Sequence, residues 1–257
     1  LHAPLAIAAL RAGVDVVVEK PMATRYEDAK AMMAAADENG RLLTVFHNRR
    51  LDPWFLACRS VLDEALLGNL FEINIFHGRG GRLSTWRGKK EAMGGVMFDW
   101  GAHLFDWVQY FDTSDINAVS GDIRRLPDNT ADATEDHGNV RIYFDSGATA
   151  NISVSFAAFA TPYRYFMLGS KGSLIDHWRG ENAIEVSMQL DRGVQGRMTV
   201  EYPNTENFGG YYENLGAHIR DGAPLLVSAE SAARVINILC TAERSAEQGG
   251  VPLPLAK

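Results

Sequence analysis

The sequence predicts two unequal parts: the tail of a doubly wound α/β sheet, then an α+β domain built on a large, mostly antiparallel open sheet. Three observations carry this. Helix, strand, helix and strand patterns succeed one another between Pro4 and Phe46, the rhythm of parallel strands joined by crossover helices. From Phe71 onward apolar and polar residues alternate with a period of two in segment after segment. Within the second part sits one strongly apolar stretch with helical spacing, Gly94 to Phe111, which carries both a carboxylate and an imidazole.

In chain order, Pro4 to Ala12 is rich in Ala, Leu and Ile, and Gly13 stands where a helix stops. Val14 to Val18 is a β-branched run bounded by Gly13 and Pro21, which reads as a buried parallel strand. Glu19-Lys20-Pro21 follows at the strand's carboxyl end, the edge where open α/β sheets bind ligands. Thr24 with Glu27 three residues on predicts a capping box, and the helix behind it turns Ala29, Met32, Met33 and Ala36 inward before Asn39-Gly40. Leu42 to Phe46 is the second strand, and the boundary between the two parts falls at 48/49. A helix is expected from Pro53 to Leu67, stopped by Gly68.

Phe71, Ile73 and Ile75 alternate with Glu72 and Asn74, and extended segments are expected near 116–125, 138–145, 148–156, 163–168, 173–178, 184–190 and 197–202. Val140, Ile142 and Phe144 face Ala150, Ile152, Val154 and Phe156 across Asp145-Ser146-Gly147, a hairpin signal. Helices at Tyr211–Arg220 and Ser228–Glu247 and a short Val251–Leu253 strand close the chain.

Composition excludes several classes of function. With 46% hydrophobic and 22% charged residues the chain can bury a core. A net charge of −7 without a basic run argues against nucleic acid as the main partner. No apolar stretch approaches the ~20 residues of a membrane span, and the first residues lack the positive start of a signal peptide. Cys58 and Cys240 lie far apart in apolar helical patterns, which suggests core packing in a reducing, cytoplasmic setting.

On a helix, Asp99 and His103 stack one turn apart, with Asp106 three residues further on. Gly94-Gly95 lets the backbone enter the turn without a Cβ clash and lets a ligand come close. A carboxylate and an imidazole on a rigid element suit proton transfer to or from a substrate hydroxyl. A core histidine satisfied by a neighbouring carboxylate, or a His/Asp metal site, are the other readings of the same pattern.

Glu19-Lys20-Pro21 after a strand, Asn48-Arg49-Arg50, Gly94-Gly95 with Asp99-x-x-x-His103, Glu135-Asp136 and Gly169-Ser170-Lys171-Gly172, in this order, resemble the glucose–fructose oxidoreductase/inositol dehydrogenase (Gfo/Idh/MocA) family. The resemblance spans essentially the whole chain. It implies the C-terminal part of a Rossmann-type dinucleotide-binding domain over 1–48 and a substrate-binding and oligomerisation domain over 49–257. It implies hydride transfer between NAD or NADP and a hydroxyl-bearing carbon of a sugar, cyclitol or related polyol. Lys20 would hydrogen-bond the reacting oxygen beside the nicotinamide, His103 would take the hydroxyl proton, and Asp99 would orient the substrate or His103. An ammonium stabilises a developing alkoxide by a few kcal/mol in a dry site. An imidazole with an ordinary pKa near ~6.5 suits that proton exchange.

By the same resemblance Glu19, Lys20, Pro21, His2, Trp86, Arg87 and Tyr211 are candidate cofactor contacts, and no metal is implied. Lys20, Trp86, Arg87, His2 and Tyr211 have plainer readings too: a solvated strand-end lysine, a surface Trp-Arg stack, a frayed histidine, a core tyrosine. Asp106 either holds His103 or touches substrate. Arg79-Gly80-Gly81-Arg82 is either an anion-binding run or a flexible loop, and Gly169–Gly172 reads as a hairpin turn. The open sheet implies a homodimer or homotetramer.

The family's Gly-rich phosphate turn, G-x-G-x-x-G, does not occur in the sequence. The chain opens without Met inside what reads as a helix, so the expectation is a remainder of a longer protein that by itself binds dinucleotide poorly. Two further readings stay open: a cofactor-free sugar-binding or dimerisation module, and an NAD-dependent glycoside-cleaving variant.

Overall fold

The β-branched run behind Gly13 finds its partner in the next apolar run. In the computed structural model, which describes residues 1–130, 132–177 and 182–257, α1 (His2–Arg11) leads to β1 (Val16–Val18), and α2 (Tyr26–Asn39) leads to β2 (Leu43–Val45). The two strands pair in parallel, Val17 opposite Thr44, with α2 as the crossover that parallel pairing requires. α2 ends at Gly40, whose φ of 56° is costly for a residue with a Cβ. Its start departs from expectation: Arg25 is the N-cap, without a side-chain cap, so the Thr24/Glu27 capping box does not form. Thr24 is used elsewhere. A Cβ on Gly94 would meet its Cγ2 at 2.8 Å, and its carbonyl accepts from the Cys240 thiol.

Beyond β2, Asn48–Leu51 forms a 3-10 turn, and Pro53 opens α3 (Pro53–Asp63) in the first helical turn where its missing N–H costs nothing. α3 stops short of the expected Leu67 because Ala65 takes a φ of 52° and the chain turns again at Gly68.

The alternating segments form one sheet. Its strands are β3 (Leu70–Gly78), β4 (Ile116–Arg124), β5 (His137–Phe144), β6 (Thr149–Ser155), β7 (Tyr165–Gly169), β8 (Gly172–Asp176), β9 (Ala183–Gln189) and β10 (Gln195–Glu201). They lie in the order β10-β9-β8-β7-β3-β6-β5-β4, and only β3 and β6 run parallel. The predicted hairpin register holds, with Val140 opposite Ile152 and Ile142 opposite Ala150. The expected Val251–Leu253 strand reduces to one bridge between Leu253 and Val119. Trp178, at the end of the expected 173–178 segment, lies outside the described residues.

The apolar face of the sheet presents Ile73, Ile75, Val119, Val140, Ile142, Ile152 and Val154, all buried, to the helical layer. That layer includes α5 (Ala102–Phe111) and α7 (Ala229–Glu247), which bury Phe105, Trp107, Ile236 and Leu239. Each such aliphatic or aromatic side chain stabilises the fold by roughly 1.5–3 kcal/mol. α7 is capped by Ser228, whose side chain accepts from the Ser231 N–H. It lies so close to β4 that a Cβ at Gly121 would collide with the Ala242 backbone. α4 (Lys90–Met93) precedes the central stretch, and α6 (Gly209–Asp221) packs on the Asn48–Leu51 turn. The opposite face of the sheet is polar and cross-linked: Asn139 Nδ2 donates to Ser153 Oγ at 2.8 Å and Asn151 Nδ2 to Asn74 Oδ1 at 3.1 Å. Among the described residues no helix is long and apolar enough to cross a membrane.

Candidate active site

β1 delivers Lys20 to the carboxyl edge of the small parallel sheet, and the central helical stretch delivers Asp99 to meet it. Lys20 Nζ donates to Asp99 Oδ1 at 2.8 Å and to the Asp99 carbonyl at 3.1 Å. Asp99 does not sit on a regular α-turn. Met97–Gly101 forms a π-turn ahead of α5, a distortion frequent at functional sites. The expected stacking of Asp99 on His103 is therefore replaced by an ion pair with Lys20. A charge-assisted bond to an ammonium outweighs one to a neutral imidazole.

His103 is buried, and its Nδ1 has no hydrogen-bond partner among the described residues. Burial holds its pKa well below 6.5, and the positive charge of Lys20 pushes in the same direction. The ring stands edge-on to His47 at 5.8 Å. His47, equally enclosed, is lowered to about 4 by burial, with Arg50 and Lys20 helping and Asp106 opposing. His77, stacked on Trp100 at 4.0 Å, is lowered to about 4, again chiefly by burial. Asp106 does not hold His103. Both of its oxygens accept from Arg50, Nη2 to Oδ1 at 2.6 Å and Nε to Oδ2 at 2.8 Å, in a fully buried pair. Arg50 also donates to the Leu226 carbonyl and to Ser231 Oγ.

Two cavities meet at the Lys20–Asp99 pair. One, of about 490 Å³, is lined by His2, Pro21, Thr24, Trp86 and Phe98. The other, of about 440 Å³, is lined by Asn48, Arg49, Arg79, Trp100 and His103. Glu19, Lys20, Arg87 and Asp99 belong to both.

The structure thus gathers His2, Glu19, Lys20, Pro21, Trp86 and Arg87 around the first cavity and leaves Tyr211 out. Tyr211 is a core residue, 2% exposed, edge-on to Phe46. Its hydroxyl donates to Thr44 Oγ1 at 2.9 Å, which is free to accept because the Thr44 proton goes to the Val227 carbonyl. His2 is tied down, its Nδ1 donating to the Pro21 carbonyl at 2.8 Å. Trp86 and Arg87 both stack on one another, guanidinium 4.4 Å from the ring centroid, and face the cavity. In the arginine-glycine run Arg82 is consumed by Asp128 and Asp136, while Arg79 lines the second cavity. Gly169–Gly172 joins β7 to β8 as a hairpin turn.

Asn48, Arg49 and Trp100 had no assigned role in the sequence reading, and Arg79 entered it only within a run read as either anion-binding or a flexible loop. Asn48 and Arg49 follow β2 as Lys20 follows β1, so the strand-edge rule, applied a second time, finds them. Trp100 is disguised by its place in an apolar helical pattern. The arrangement supplies an ammonium for an oxygen that gains negative charge, a neutral imidazole for its proton, and room for two ligands side by side.

A strand-edge Lys–Asp pair between two confluent cavities, with an unprotonated histidine beyond it, defines an oxidoreductase-type site on a nucleotide-binding sheet. The chain belongs to the Gfo/Idh/MocA family. Residues 1–47 match the model of the oxidoreductase family's NAD-binding Rossmann fold, and residues 55–175 match the GFO/IDH/MocA C-terminal domain. Among its relatives, scyllo-inositol 2-dehydrogenase (NADP(+)) IolW of Bacillus subtilis is 27% identical over 275 residues, covering 96% of this chain and 74% of IolW. The 1,5-anhydro-D-fructose reductase of Ensifer adhaerens is 32% identical over 181 residues, covering 68% of this chain and 53% of the reductase. The solved structure of aldose–aldose oxidoreductase from Caulobacter crescentus, complexed with glycerol, superposes with a TM-score of 0.83 at 25% identity, over 99% of this chain and 76% of that one.

Proposed function

We propose that this protein transfers a hydride between a nicotinamide cofactor and a hydroxyl-bearing carbon of a sugar, cyclitol or related polyol, with Lys20, Asp99 and His103 as its catalytic residues. The observation that carries this is the Lys20 ammonium, fixed by Asp99 at 2.8 Å where the two cavities join, with His103 lining the second. The activities named for the scyllo-inositol dehydrogenase and the anhydrofructose reductase agree with it.

The first cavity fits the nicotinamide end of a dinucleotide. Pro21, Trp86 and Phe98 offer flat apolar surface beside the polar Lys20–Asp99 edge. His2, Glu19, Lys20, Pro21, Trp86 and Arg87 would hold that end of NAD or NADP, and the bound nicotinamide supplies the hydride acceptor or donor. The chain's own part is electrostatic and protonic. Lys20 Nζ hydrogen-bonds the reacting oxygen and stabilises the alkoxide character that develops on it. Asp99 holds the ammonium in place. His103 takes the hydroxyl proton, and its suppressed proton affinity leaves a lone pair available at neutral pH. In the reverse direction the imidazole returns that proton.

Residues 1–48 serve as the dinucleotide-binding part and 49–257 as the substrate-binding and oligomerisation part, in a cytoplasmic enzyme. The polar outer face of the sheet packs against a second copy in a homodimer or homotetramer, which size-exclusion chromatography at micromolar concentration tests. For the chemistry, a panel of inositols, hexoses and sugar alcohols is screened for nicotinamide reduction with the full-length protein. Lys20→Met should lower kcat by about 10²–10³, the cost of one lost oxyanion donor. Wild-type-like turnover in that variant would sink the assignment.

A further inference from the structure

The second cavity carries more positive charge than the hydride reaction consumes. Four cationic side chains line it, Lys20, Arg49, Arg79 and Arg87, in a chain whose net charge is −7. Two of them are already matched. Lys20 is spent on Asp99, and Arg49 donates to Glu206 at 2.6 Å and to Asp52 at 3.2 Å. Arg79 and Arg87 belong to no ion pair among the described residues, and Arg87 is steered only by the Trp86 ring.

Arg79 is held where it is by the backbone. Its N–H donates to the Ser155 carbonyl at 2.9 Å at the end of β3, and Arg82, three residues on, is anchored by Asp128 and Asp136. The guanidinium is thus presented from a fixed sheet edge into the same cavity as His103. Against these two unmatched cations the lining holds one unmatched carboxylate, Glu19. Arg49 faces two carboxylates, so the wall and its partners carry no net surplus, and what selects the ligand is the two guanidiniums that have no ion pair among the described residues. The unpaired Glu19 beside them disfavours a phosphate monoester, with nearly two charges, more than a monoanion. A guanidinium fork also matches a carboxylate in geometry as well as in charge. A cavity of about 440 Å³ is within the size range of small-molecule sites.

We infer that the substrate is a sugar acid: a polyol bearing one carboxylate, of the aldonate or uronate class, with that carboxylate on Arg79 and Arg87 and the reacting hydroxyl on Lys20 and His103. This rests on the second cavity being the substrate side of the proposed dehydrogenase site.

Isothermal calorimetry on the full-length protein compares D-glucuronate, D-galacturonate and D-gluconate with D-glucose, D-galactose and D-glucitol. At least one acid should bind about tenfold or more tighter than its neutral counterpart, the scale of a charge-assisted hydrogen bond. That preference should shrink to about twofold or less in Arg79→Met and persist in Arg220→Met, which removes an equal charge from an exposed site away from the cavity. Because Arg79 is exposed, its replacement should leave the melting temperature in place. No preference for any acid, a preference that survives Arg79→Met, or tighter binding of D-glucose 6-phosphate than of every acid would each overturn the inference. Nicotinamide reduction followed in the same samples separates the two proposals. An Arg79-dependent preference without turnover removes the dehydrogenase reading and keeps the anion site, and turnover of neutral polyols indifferent to Arg79 does the reverse.

Discussion

Replacing His47 should make the protein's stability less sensitive to acid by an amount that follows from its burial. In the unfolded chain its imidazole takes up a proton near pH ~6.5, while in the fold, where burial dominates, it does so only near about 4. Between those values the unfolded state binds more protons, so the contribution of His47 to stability is intact above pH ~6.5 and is lost as pH falls toward 4. At pH 5 the unfolded imidazole is protonated by about 30 to 1 and the folded one by about 1 to 10, which works out to about 2 kcal/mol. Total stability does not isolate this. Asp52, raised to about 6, and Glu243, raised to about 7, both mainly by burial, take up protons in the fold first and stabilise it as pH falls. The difference between wild type and His47→Asn cancels them. Urea unfolding of both proteins between pH 7.5 and 5 should show the variant, less stable at pH 7.5, gaining about 2 kcal/mol on the wild type by pH 5. A gap that stays constant, or widens in acid, would refute the claim that His47 is stored unprotonated.

Two further substitutions separate the site from its scaffold. His103→Asn keeps a polar group in the cavity wall but removes the base, and should lower kcat by about 10²–10⁴ while KM for the polyol changes far less. Tyr211→Phe removes only the bond to Thr44, whose own proton stays on Val227, so urea denaturation should register a loss of about 1 kcal/mol with kcat/KM unchanged.

The fold was legible because both of its periodicities are local. Val140 to Phe144 and Ala150 to Phe156 announce their hairpin within a short stretch of sequence, and a one-residue slip would turn every one of those side chains to the wrong face. The cluster of Glu19, Lys20 and Pro21 was legible for a related reason, since position at a strand's carboxyl edge is itself a local statement. What stayed hidden depended on distant partners. Nothing near Asp99 in sequence reveals that Lys20, 79 residues away, claims its carboxylate, nor that the helix opens into a π-turn there. Tyr211 was read toward the cofactor because an aromatic at that place fits either environment. The Thr44–Val227 relay that holds it in the core is assembled from three separate elements. The Thr24 cap failed in the same way: tertiary packing against Gly94 and Cys240 overrode a motif worth about 1 kcal/mol.

Asp106 shows how a residue beside the site can act without touching a substrate. Its carboxylate lies one helical turn from His103, and it works to raise the proton affinity of His47 against the burial that lowers it. Arg50 neutralises it through two buried hydrogen bonds, and in doing so ties α5, which carries His103, to the turn behind β2, which carries Asn48 and Arg49. Arg50→Met alone strands a carboxylate that is 1% exposed and should cost about 3–5 kcal/mol. Arg50→Met combined with Asp106→Leu removes both charges and should recover most of that loss, because burying the pair carries a large desolvation penalty of its own. Thermal melts of the two variants side by side check this ordering. If the double variant melts no higher than the single one, the pair is a packing element and not a matched charge.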